Sequence, residues 1–298
     1  MALPEMIKNL LENGVHFGHL SKHWNPKMKP FIFGKKKKIY IIDLQKTAVQ
    51  LEEAKTFVRD MVKNDAKMLF VGTKRHIRDV MRELAESCEM PYVVERWVGG
   101  LLTNFVTIEA RVRKYNDLRQ KKESGELDKL PSKERAKTNK DLDRMAKIYS
   151  GVAEMDALPQ CIFVIDPKRE HACVHEANIL DIPIVALVDT DADPDQVDYP
   201  VPGNDDAIKS VRMITAQLVE AIKAGKEDAE AARAKAQAEA ESQAKAEETG
   251  SVQAEPKTEA AAPEEKTTDS SEAQSTPEDE NSAPAEKSAS EEADKEEK

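Results

Sequence analysis

The sequence predicts an α/β protein built on a parallel sheet with helices on both of its faces. Short runs of consecutive apolar residues, such as Met68–Val71 and Cys161–Ile165, alternate with segments whose apolar residues recur at helical spacing. Strands that are apolar on both faces are typical of parallel sheets covered on both sides. The periodicity therefore predicts the fold class, although it leaves the order of the strands open.

The predicted elements follow one another along the chain as helices and strands. Pro4 favours a helix start and Gly14 a helix end, so a short amphipathic helix opens the chain. Asp43 is a good N-cap for the helix that follows the first main strand. The five main strands are expected at Ile39–Ile42, Met68–Val71, residues 92–94, Cys161–Ile165 and Ile184–Val188. A shorter strand is expected at 31–33 and a closing helix at 207–224.

Residues 104–153 interrupt this alternation because they contain no strand pattern. They show two helical stripes of apolar residues, separated by a polar connection at 125–131. The stripes are Phe105, Ile108, Val112, Tyr115 and Leu118 in the first helix, and Leu142, Met145, Tyr149 and Val152 in the second. Two such stripes predict an antiparallel coiled-coil hairpin that projects from the sheet.

Charge divides the chain into two parts that its net charge of −11 conceals. Residues 1–150 hold 31 basic and 20 acidic residues, whereas residues 227–298 hold 8 basic and 22 acidic residues. A basic front half and an acidic tail are typical of a nucleic-acid-binding protein with a charged tail. We expect a folded domain at 1–226, which includes the 104–153 insertion, and a largely disordered tail at 227–298.

The segment from His16 to Asp43 carries the strongest functional signal. Its charged and titratable nitrogen groups are all lysines and histidines until the first acid, Asp43. Four consecutive lysines, 35–38, stand directly before a predicted strand, and Trp24 lies earlier in the segment. Flexible cations beside aromatic rings suit a polyanion, since lysines follow phosphates and rings stack on bases. The alternative is an ordinary solvated turn.

Six motifs in collinear order resemble the family of small-subunit ribosomal protein S2, in its bacterial form. They extend over about residues 5–224. The matching segments are His16-Phe17-Gly18-His19 with Trp24-Asn25-Pro26-Lys27-Met28, Ile42-Asp43-Leu44, Phe70-Val71-Gly72-Thr73-Lys74, Arg96 to Phe105, Pro159 to Pro183, and Asp198 to Ala207.

The resemblance implies a flavodoxin-like sheet with strand order 2-1-3-4-5 and a protruding helical hairpin at the position of the insertion. It implies a structural role in translation, with the protein in the cytoplasm on the small ribosomal subunit. The expected partners are small-subunit ribosomal RNA and neighbouring ribosomal proteins, notably ribosomal protein one. No cofactor, small-molecule substrate or membrane is expected.

The mechanism expected from this interpretation is docking onto folded RNA through contacts with phosphates and through recognition of the shape of the RNA. Lysines of the N-terminal segment and the cations that follow the second main strand are expected to contact phosphates. Trp24 and Asn25 are expected to make closer contacts. The predicted RNA-binding residues are Lys22, Trp24, Asn25, Lys27, Lys29, Lys35, Lys36, Lys37, Lys38, Lys74, Arg75, Arg113 and Lys114.

Two other function classes are compatible with parts of the sequence. A parallel α/β sheet commonly binds ligands at the carboxyl ends of its strands, near which Asp43, Thr73, Asp166 and Asp189 are predicted to lie. The glycine-rich motifs of nucleotide-binding enzymes and the G-x-S-x-G motif are absent from the sequence, which disfavours catalysis. The second alternative is a protein-interaction scaffold whose basic rim binds acidic partners.

Metal binding is also disfavoured by residue spacing. His16, His19 and His23 are close in sequence, but a zinc site needs three or four converging ligands. The acidic run that begins at Asp189 resembles the start of an EF-hand loop. It has Pro194 where that loop requires glycine and Pro200 where it requires glutamate, so calcium binding of this type is not expected.

The remaining features indicate a soluble intracellular protein. Three widely spaced cysteines, Cys88, Cys161 and Cys173, suggest free thiols in a reducing compartment. The first thirteen residues lack the continuous apolar core of a signal peptide, and the longest apolar runs are too short to span a bilayer.

Overall fold

The computed structural model describes the backbone of residues 3–250 and the side chains of residues 4–235. The chain divides into two units, Met1–Ala246 and Glu247–Lys298, of which the first contains the sheets. Most of the predicted disordered tail, residues 251–298, lies outside the described residues.

The helices and strands follow the chain in this order: α1 (Leu3–Glu12), β1 (Phe17–Leu20), β2 (Ile32–Lys36), β3 (Ile39–Ile42), α2 (Leu44–Lys63), β4 (Met68–Val71), α3 (Arg78–Glu86), β5 (Tyr92–Val93), α4 (Phe105–Glu123), α5 (Ser132–Tyr149), β6 (Cys161–Ile165), α6 (His171–Ile179), β7 (Ile184–Val188), β8 (Tyr199–Pro202) and α7 (Ile208–Gly250).

The main sheet has five parallel strands in the spatial order β5-β4-β6-β7-β8. Numbered along the chain, this is the order 2-1-3-4-5 that the family resemblance implies. The change of direction falls between β4 and β6, so the chain crosses the sheet there after the long insertion that contains α4 and α5. The predicted fold class is confirmed.

The membership of the sheet differs from the prediction at one strand. The segment Ile39–Ile42 pairs antiparallel with β1 on one side and β2 on the other, in a separate three-stranded sheet. The fifth parallel strand is instead β8, which the strand pattern missed because it contains Pro200 and Pro202. Proline lacks the N–H of a ladder donor, and it is tolerated in β8 because this strand is at the edge and pairs only with β7.

Helices cover both faces of the parallel sheet. One face packs against α1, α2, α3 and α7, with Phe70 and Phe163 as the largest buried side chains of the strands. The opposite face packs against α4, α5 and α6 through the alternate strand residues, such as Leu69 and Ile162. The near-continuous apolar character of the central strands follows from this double burial.

The insertion forms two helices, α4 and α5, that contact each other as the stripes predicted. Ile108, Val112 and Tyr115 of α4 are buried in the same cluster as Leu142 and Tyr149 of α5. A short 3-10 turn at Glu126–Lys129 connects the two helices. The regular side-chain packing of a coiled coil and the projection from the sheet stay predictions.

Helix α7 continues past residue 226, where the sequence predicted the folded domain to end. Arg59 of α2 pairs with Asp228 at 2.7 Å, and Ala229 is buried. Lys226 also pairs with Glu89, at 2.7 Å. Contacts with the sheet domain therefore extend beyond the residue at which the acidic composition begins.

A single carboxylate, that of Glu176 on α6, holds the loop that leads into α4. Its Oε1 accepts hydrogen bonds from Trp97 Nε1 at 2.9 Å and from the Gly100 amide at 2.8 Å. Its Oε2 accepts from the amides of Leu102 and Thr103 and from the Thr103 hydroxyl, at 3.1, 3.3 and 3.2 Å. Burial raises the pKa of Glu176, but these donors outweigh it, and the net pKa is lowered.

Replacing this carboxylate should destabilise the fold. We expect Glu176→Gln to cost about 2–4 kcal/mol in the free energy of unfolding at neutral pH, because an amide NH₂ would face N–H donors that lose an acceptor. The group is ionised and stabilising above the unfolded pKa near 4.5. Its contribution is lost as the pH falls through the lowered folded pKa, so the difference between wild type and variant should narrow in acid.

Urea unfolding at several pH values measures both effects. Glu83→Gln is the matched control, because Glu83 forms an exposed, solvent-screened ion pair with Arg212 and should change stability much less than Glu176→Gln does. Equal effects of the two substitutions at neutral pH would contradict the role given to Glu176.

Candidate nucleic-acid interface

The four consecutive lysines form the tip of a β-hairpin. Lys35 and Lys36 end β2, and Lys37 and Lys38 make the two-residue turn to β3. Both turn residues have positive φ, at 49° and 68°, as a type I′ turn requires. All four side chains are exposed. The turn geometry thus presents a compact group of four positive charges to the solvent.

Aromatic rings lie beside this hairpin tip. The register of β2 and β3 places Lys35 opposite Tyr40, and the Lys35 ammonium is 5.7 Å from the centre of the Tyr40 ring. The Trp24 ring packs against Tyr40 with centroids 5.0 Å apart. Trp24 is half-buried, so part of it stays accessible. Tyr40 was not predicted as a site residue, since only the strand register reveals its position beside Lys35 and Trp24.

Two further lysines of the N-terminal segment are exposed on the same stretch of chain. Lys22 lies in the turn after β1, and Lys29 lies on the 3-10 helix Pro26–Phe31. Within residues 13–42 the sequence contains no acidic residue. No acidic residue within this segment therefore reduces its predicted positive potential.

Asn25 and Lys27 are held by contacts within the protein. The Asn25 side chain accepts the Lys27 amide at 3.0 Å and so caps the 3-10 helix, and the Asn25 amide donates to the Thr190 carbonyl at 2.8 Å. The Lys27 ammonium pairs with Asp193 at 2.8 Å and with Asp195 at 2.9 Å. Both acids raise the pKa of Lys27. The structure thus gives both residues local structural roles.

Lys74 is turned into the protein, unlike its neighbour Arg75. The residue is only 9% exposed, and its ammonium lies 3.0 Å from Asp166 and 2.8 Å from both Asp205 and Asp206. Burial would lower the pKa of Lys74, but these carboxylates outweigh it and raise the pKa. A buried ammonium with three carboxylate neighbours does not present its charge to phosphate, so the predicted RNA contact of Lys74 does not fit the structure. Arg75 is exposed.

The two predicted cations of the insertion lie on a different element. Arg113 and Lys114 are exposed on α4, and Arg113 forms an ion pair with Glu109 one helical turn earlier. Neither residue belongs to the three-stranded sheet β1-β3-β2, here called the N-terminal sheet, which carries the lysine tip.

The carboxyl ends of the parallel strands carry a cluster of aspartates. Asp166 follows β6, and Asp189 follows β7. Asp205 lies beyond the end of β8 and is 1% exposed, and burial together with the Asp189 and Asp166 carboxylates raises its pKa to about 7 even though Lys74 is adjacent. Thr73 follows β4 and donates a hydrogen bond to the buried Glu170. Asp43 follows an antiparallel strand, and the Thr47 hydroxyl one helical turn later lies within hydrogen-bond distance of the carbonyls of both Asp43 and Pro202, the last residue of β8.

His19 of β1 faces this cluster. Its Nδ1 is 3.1 Å from Asp189 Oδ2 and its Nε2 is 3.5 Å from Asp206 Oδ2. The contact with Asp189 raises the pKa of His19 to about 9, with burial acting against it. His16 instead packs on the Phe17 ring at 4.0 Å, so the three N-terminal histidines do not converge on one point. Within the described part of the chain, the residues whose ligand atoms come close enough to share an ion are grouped around His19.

Gly18 allows β1 to approach the strand ends closely. A Cβ atom at Gly18 would lie 2.5 Å from the Cγ2 of Thr190, which is fully buried, and 3.2 Å from Asp189 Oδ1. Next to it, the His19 amide donates to the Thr190 hydroxyl at 2.8 Å. The N-terminal sheet therefore packs directly against the loop after β7. The space between them leaves no room for a side chain at residue 18.

The three thiols are poor nucleophiles because all are buried. Burial raises the pKa of Cys88 to about 11 and that of Cys161 to about 12, and raises the pKa of Cys173 well above its ordinary value. Separately, none of the helices in residues 3–250 has an apolar stretch long enough to cross a bilayer.

The fold and this surface define a class of protein: an α/β domain that has an ion-paired cluster of Lys74 and aspartates at the carboxyl ends of its parallel strands and that bears a basic β-hairpin. The sequence profile of the Ribosomal protein S2 family matches residues 10–225. The chain is also 51% identical over 221 residues to the small ribosomal subunit protein uS2 of Coprothermobacter proteolyticus, an alignment that covers 74% of this chain and 82% of that protein. The chain belongs to the ribosomal protein S2 family, a family of structural ribosomal proteins and not of enzymes.

The contact at Gly18 can be tested by adding one methyl group. We expect Gly18→Ala to lower the free energy of unfolding by about 1–3 kcal/mol, because the buried Thr190 cannot move away. The N-terminal sheet should loosen first, which hydrogen exchange of the β1 and β3 amides would detect. Gly34→Ala in β2 is the control, since a Cβ there meets nothing within 4 Å. Similar exchange rates in both variants would show that the close approach is unimportant.

Proposed function

We propose that the protein binds small-subunit ribosomal RNA through the N-terminal sheet and the loop that precedes β2. The observation that carries this proposal is the exposed lysine tip, 35–38, beside the Tyr40–Trp24 pair. Four ammonium groups on a two-residue turn can follow a phosphate backbone, while the rings offer stacking surfaces to unpaired bases. The family membership supports the same function.

The composition of the interface follows from exposure and charge. We propose that Lys22, Lys29, Lys35, Lys36, Lys37, Lys38 and Arg75 contact phosphates. Trp24 would stack through its accessible part. Lys27 would contribute less, because Asp193 and Asp195 already neutralise its charge. Arg113 and Lys114 would form a second, separate contact on α4.

Phosphate contact predicts a steep dependence of RNA affinity on salt. Replacing Lys35, Lys36, Lys37 and Lys38 by Gln should weaken binding to small-subunit ribosomal RNA. It should also reduce the slope of log affinity against log salt by about 0.7–0.9 for each lysine that contacts a phosphate. Filter binding at four or five salt concentrations measures both quantities.

A matched variant removes the same charge elsewhere. Lys63, Lys67, Lys209 and Lys223 are exposed on α2, on α7 and before β4, and their replacement by Gln should leave the slope near the wild-type value. Equal losses in the two variants would show that net charge, and not the hairpin tip, determines affinity. A shallow slope for the wild-type protein would favour the protein-interaction scaffold.

We further propose contact with ribosomal protein one through an apolar patch beside the hairpin. Leu11 of α1 is 52% exposed and Phe33 of β2 is 79% exposed, and both line a groove with Ile41 and Leu44. Large exposed apolar side chains grouped in one groove are typical of protein interaction sites. The patch is defined by Leu11, Phe33, Ile41 and Leu44.

The double variant Leu11→Ser and Phe33→Ser should reduce retention of purified ribosomal protein one by about tenfold or more, since exposed apolar anchors commonly dominate such interfaces. Its salt slope for RNA should not change, because no cation is removed. Ile179→Ser, at an exposed apolar residue on α6, is the control. Undiminished retention by the double variant would place that partner elsewhere.

A further inference from the structure

A groove runs along the outer face of α2, beside the edge strand β8. Its volume is about 660 Å³, and its walls include three apolar and three acidic side chains. Helical spacing brings most of them together, because residues three or four apart lie on one face of a helix and five of the six belong to α2. We call this surface the α2–β8 groove. The apolar residues are Val49, Phe57 and Tyr199, and the acidic residues are Glu52, Glu53 and Asp60.

Two aromatic rings form the apolar part of the groove. Phe57 of α2 and Tyr199 of β8 stack with their ring centroids 4.2 Å apart and with an angle of 19° between their planes. Both residues are half-buried, so part of each stays accessible. Val49 is 48% exposed in the same groove. Accessible apolar side chains grouped in one groove are typical of a surface that contacts another protein.

The carboxylates of the groove are only partly neutralised. Glu52 pairs with a lysine of its own helix at 2.9 Å. Neither Glu53 nor Asp60 takes part in an ion pair among the described residues, and none of the described side chains that line the groove is basic. Arg59, next to Asp60 in the sequence, pairs instead with Asp228 at 2.7 Å. The groove therefore has an excess of negative charge beside its aromatic rings.

We propose that the α2–β8 groove is a docking site for an arginine-rich segment of another protein of the small ribosomal subunit. A guanidinium group is flat, so it stacks on an aromatic ring while its N–H groups donate in pairs to a carboxylate. The groove offers both kinds of contact, through the rings of Phe57 and Tyr199 and through the carboxylates of Glu53 and Asp60. An apolar side chain of the same segment would cover Val49.

Two other occupants suit this surface less well. RNA is disfavoured, because the carboxylates repel phosphates and the groove offers no cation of its own. The lysine tip of a second copy of the chain has the right charge, but an ammonium group lacks the flat surface that stacks on rings. The contact at the α2–β8 groove is separate from that of the lysine tip with RNA and does not depend on it.

Binding of a fluorescent peptide to the full chain tests the chemistry of the groove. We expect the peptide Ac-GRRFRRG to bind, and its lysine counterpart Ac-GKKFKKG to bind about threefold or more weakly, because lysine lacks the planar stacking group. Replacing the three acids, with Glu52→Gln, Glu53→Gln and Asp60→Asn, should weaken binding of the arginine peptide by about tenfold or more. Fluorescence anisotropy at one fixed salt concentration measures these affinities.

A matched variant removes the same charge from exposed residues elsewhere. It carries Glu5→Gln, Asp79→Asn and Glu123→Gln, and it should bind the arginine peptide as the wild-type protein does. Equal weakening in the two triple variants would overturn the proposal. The groove variant should keep the wild-type salt slope for RNA, so a failure of this contact is distinguishable from a failure of the lysine tip.

Cross-linking from residue 49 identifies the natural occupant. The three native cysteines are buried, so Val49→Cys can be labelled selectively with a benzophenone. In small subunits reconstituted from purified components, we expect a cross-link to an arginine-rich segment of another subunit protein. A cross-link to RNA, to a second copy of the chain or to a protein segment without arginine would contradict this assignment, as would the absence of any cross-link.

Discussion

The contact of β1 with the loop after β7 joins the N-terminal sheet to the carboxyl ends of the parallel strands, and the hydrogen bond from the Asn204 amide to the Val15 carbonyl, at 3.1 Å, supports it. Gly18 brings the backbone against the buried Thr190, and His19 reaches the carboxylates at the same edge. Asn25 and Lys27 extend the contact, because the first donates to Thr190 and the second pairs with Asp193. Since β1 pairs with β3 and β3 with β2, this contact also places the hairpin tip that carries the four lysines.

The same contact explains how a fold that commonly binds small ligands serves a ribosomal protein. In open parallel sheets, ligands bind beyond the carboxyl ends of the strands near the change of direction. Here Lys74 after β4 occupies that region and pairs with aspartates from the neighbouring loops. The N-terminal sheet covers part of the remainder. The fold class alone therefore says little about function, which resides in the residues added at this edge.

The local charge of the exposed surface differs from the net charge of the chain. The chain as a whole is acidic at −11, yet the exposed lysine tip has no acid within its own segment. Among the acids near the N-terminal segment, Asp193 and Asp195 pair with Lys27, and Asp189, Asp191 and Asp206 lie beside His19. At an ionic strength near 0.15 M, charges separated by more than about 8 Å are largely screened from each other. A locally basic surface can therefore act on RNA even though the protein carries a net negative charge.

The sequence by itself determined the fold class, the helices of the insertion and the concentration of cations in residues 16–42, because each depends on local periodicity or composition. The family motifs added the strand order, which periodicity alone cannot give. Membership of the sheet was decided by pairing between distant segments, so Ile39–Ile42 was placed in the wrong sheet and the proline-containing β8 was missed. The tertiary structure also decided whether the ammonium groups of Lys27 and Lys74 are free or paired with carboxylates. Both look like free cations in sequence, and only the approach of aspartates more than ninety residues away shows that their charges are already paired. Burial and ion pairing at long sequence separation leave no local pattern, and this is why the surface charges could be counted from the sequence but not assigned.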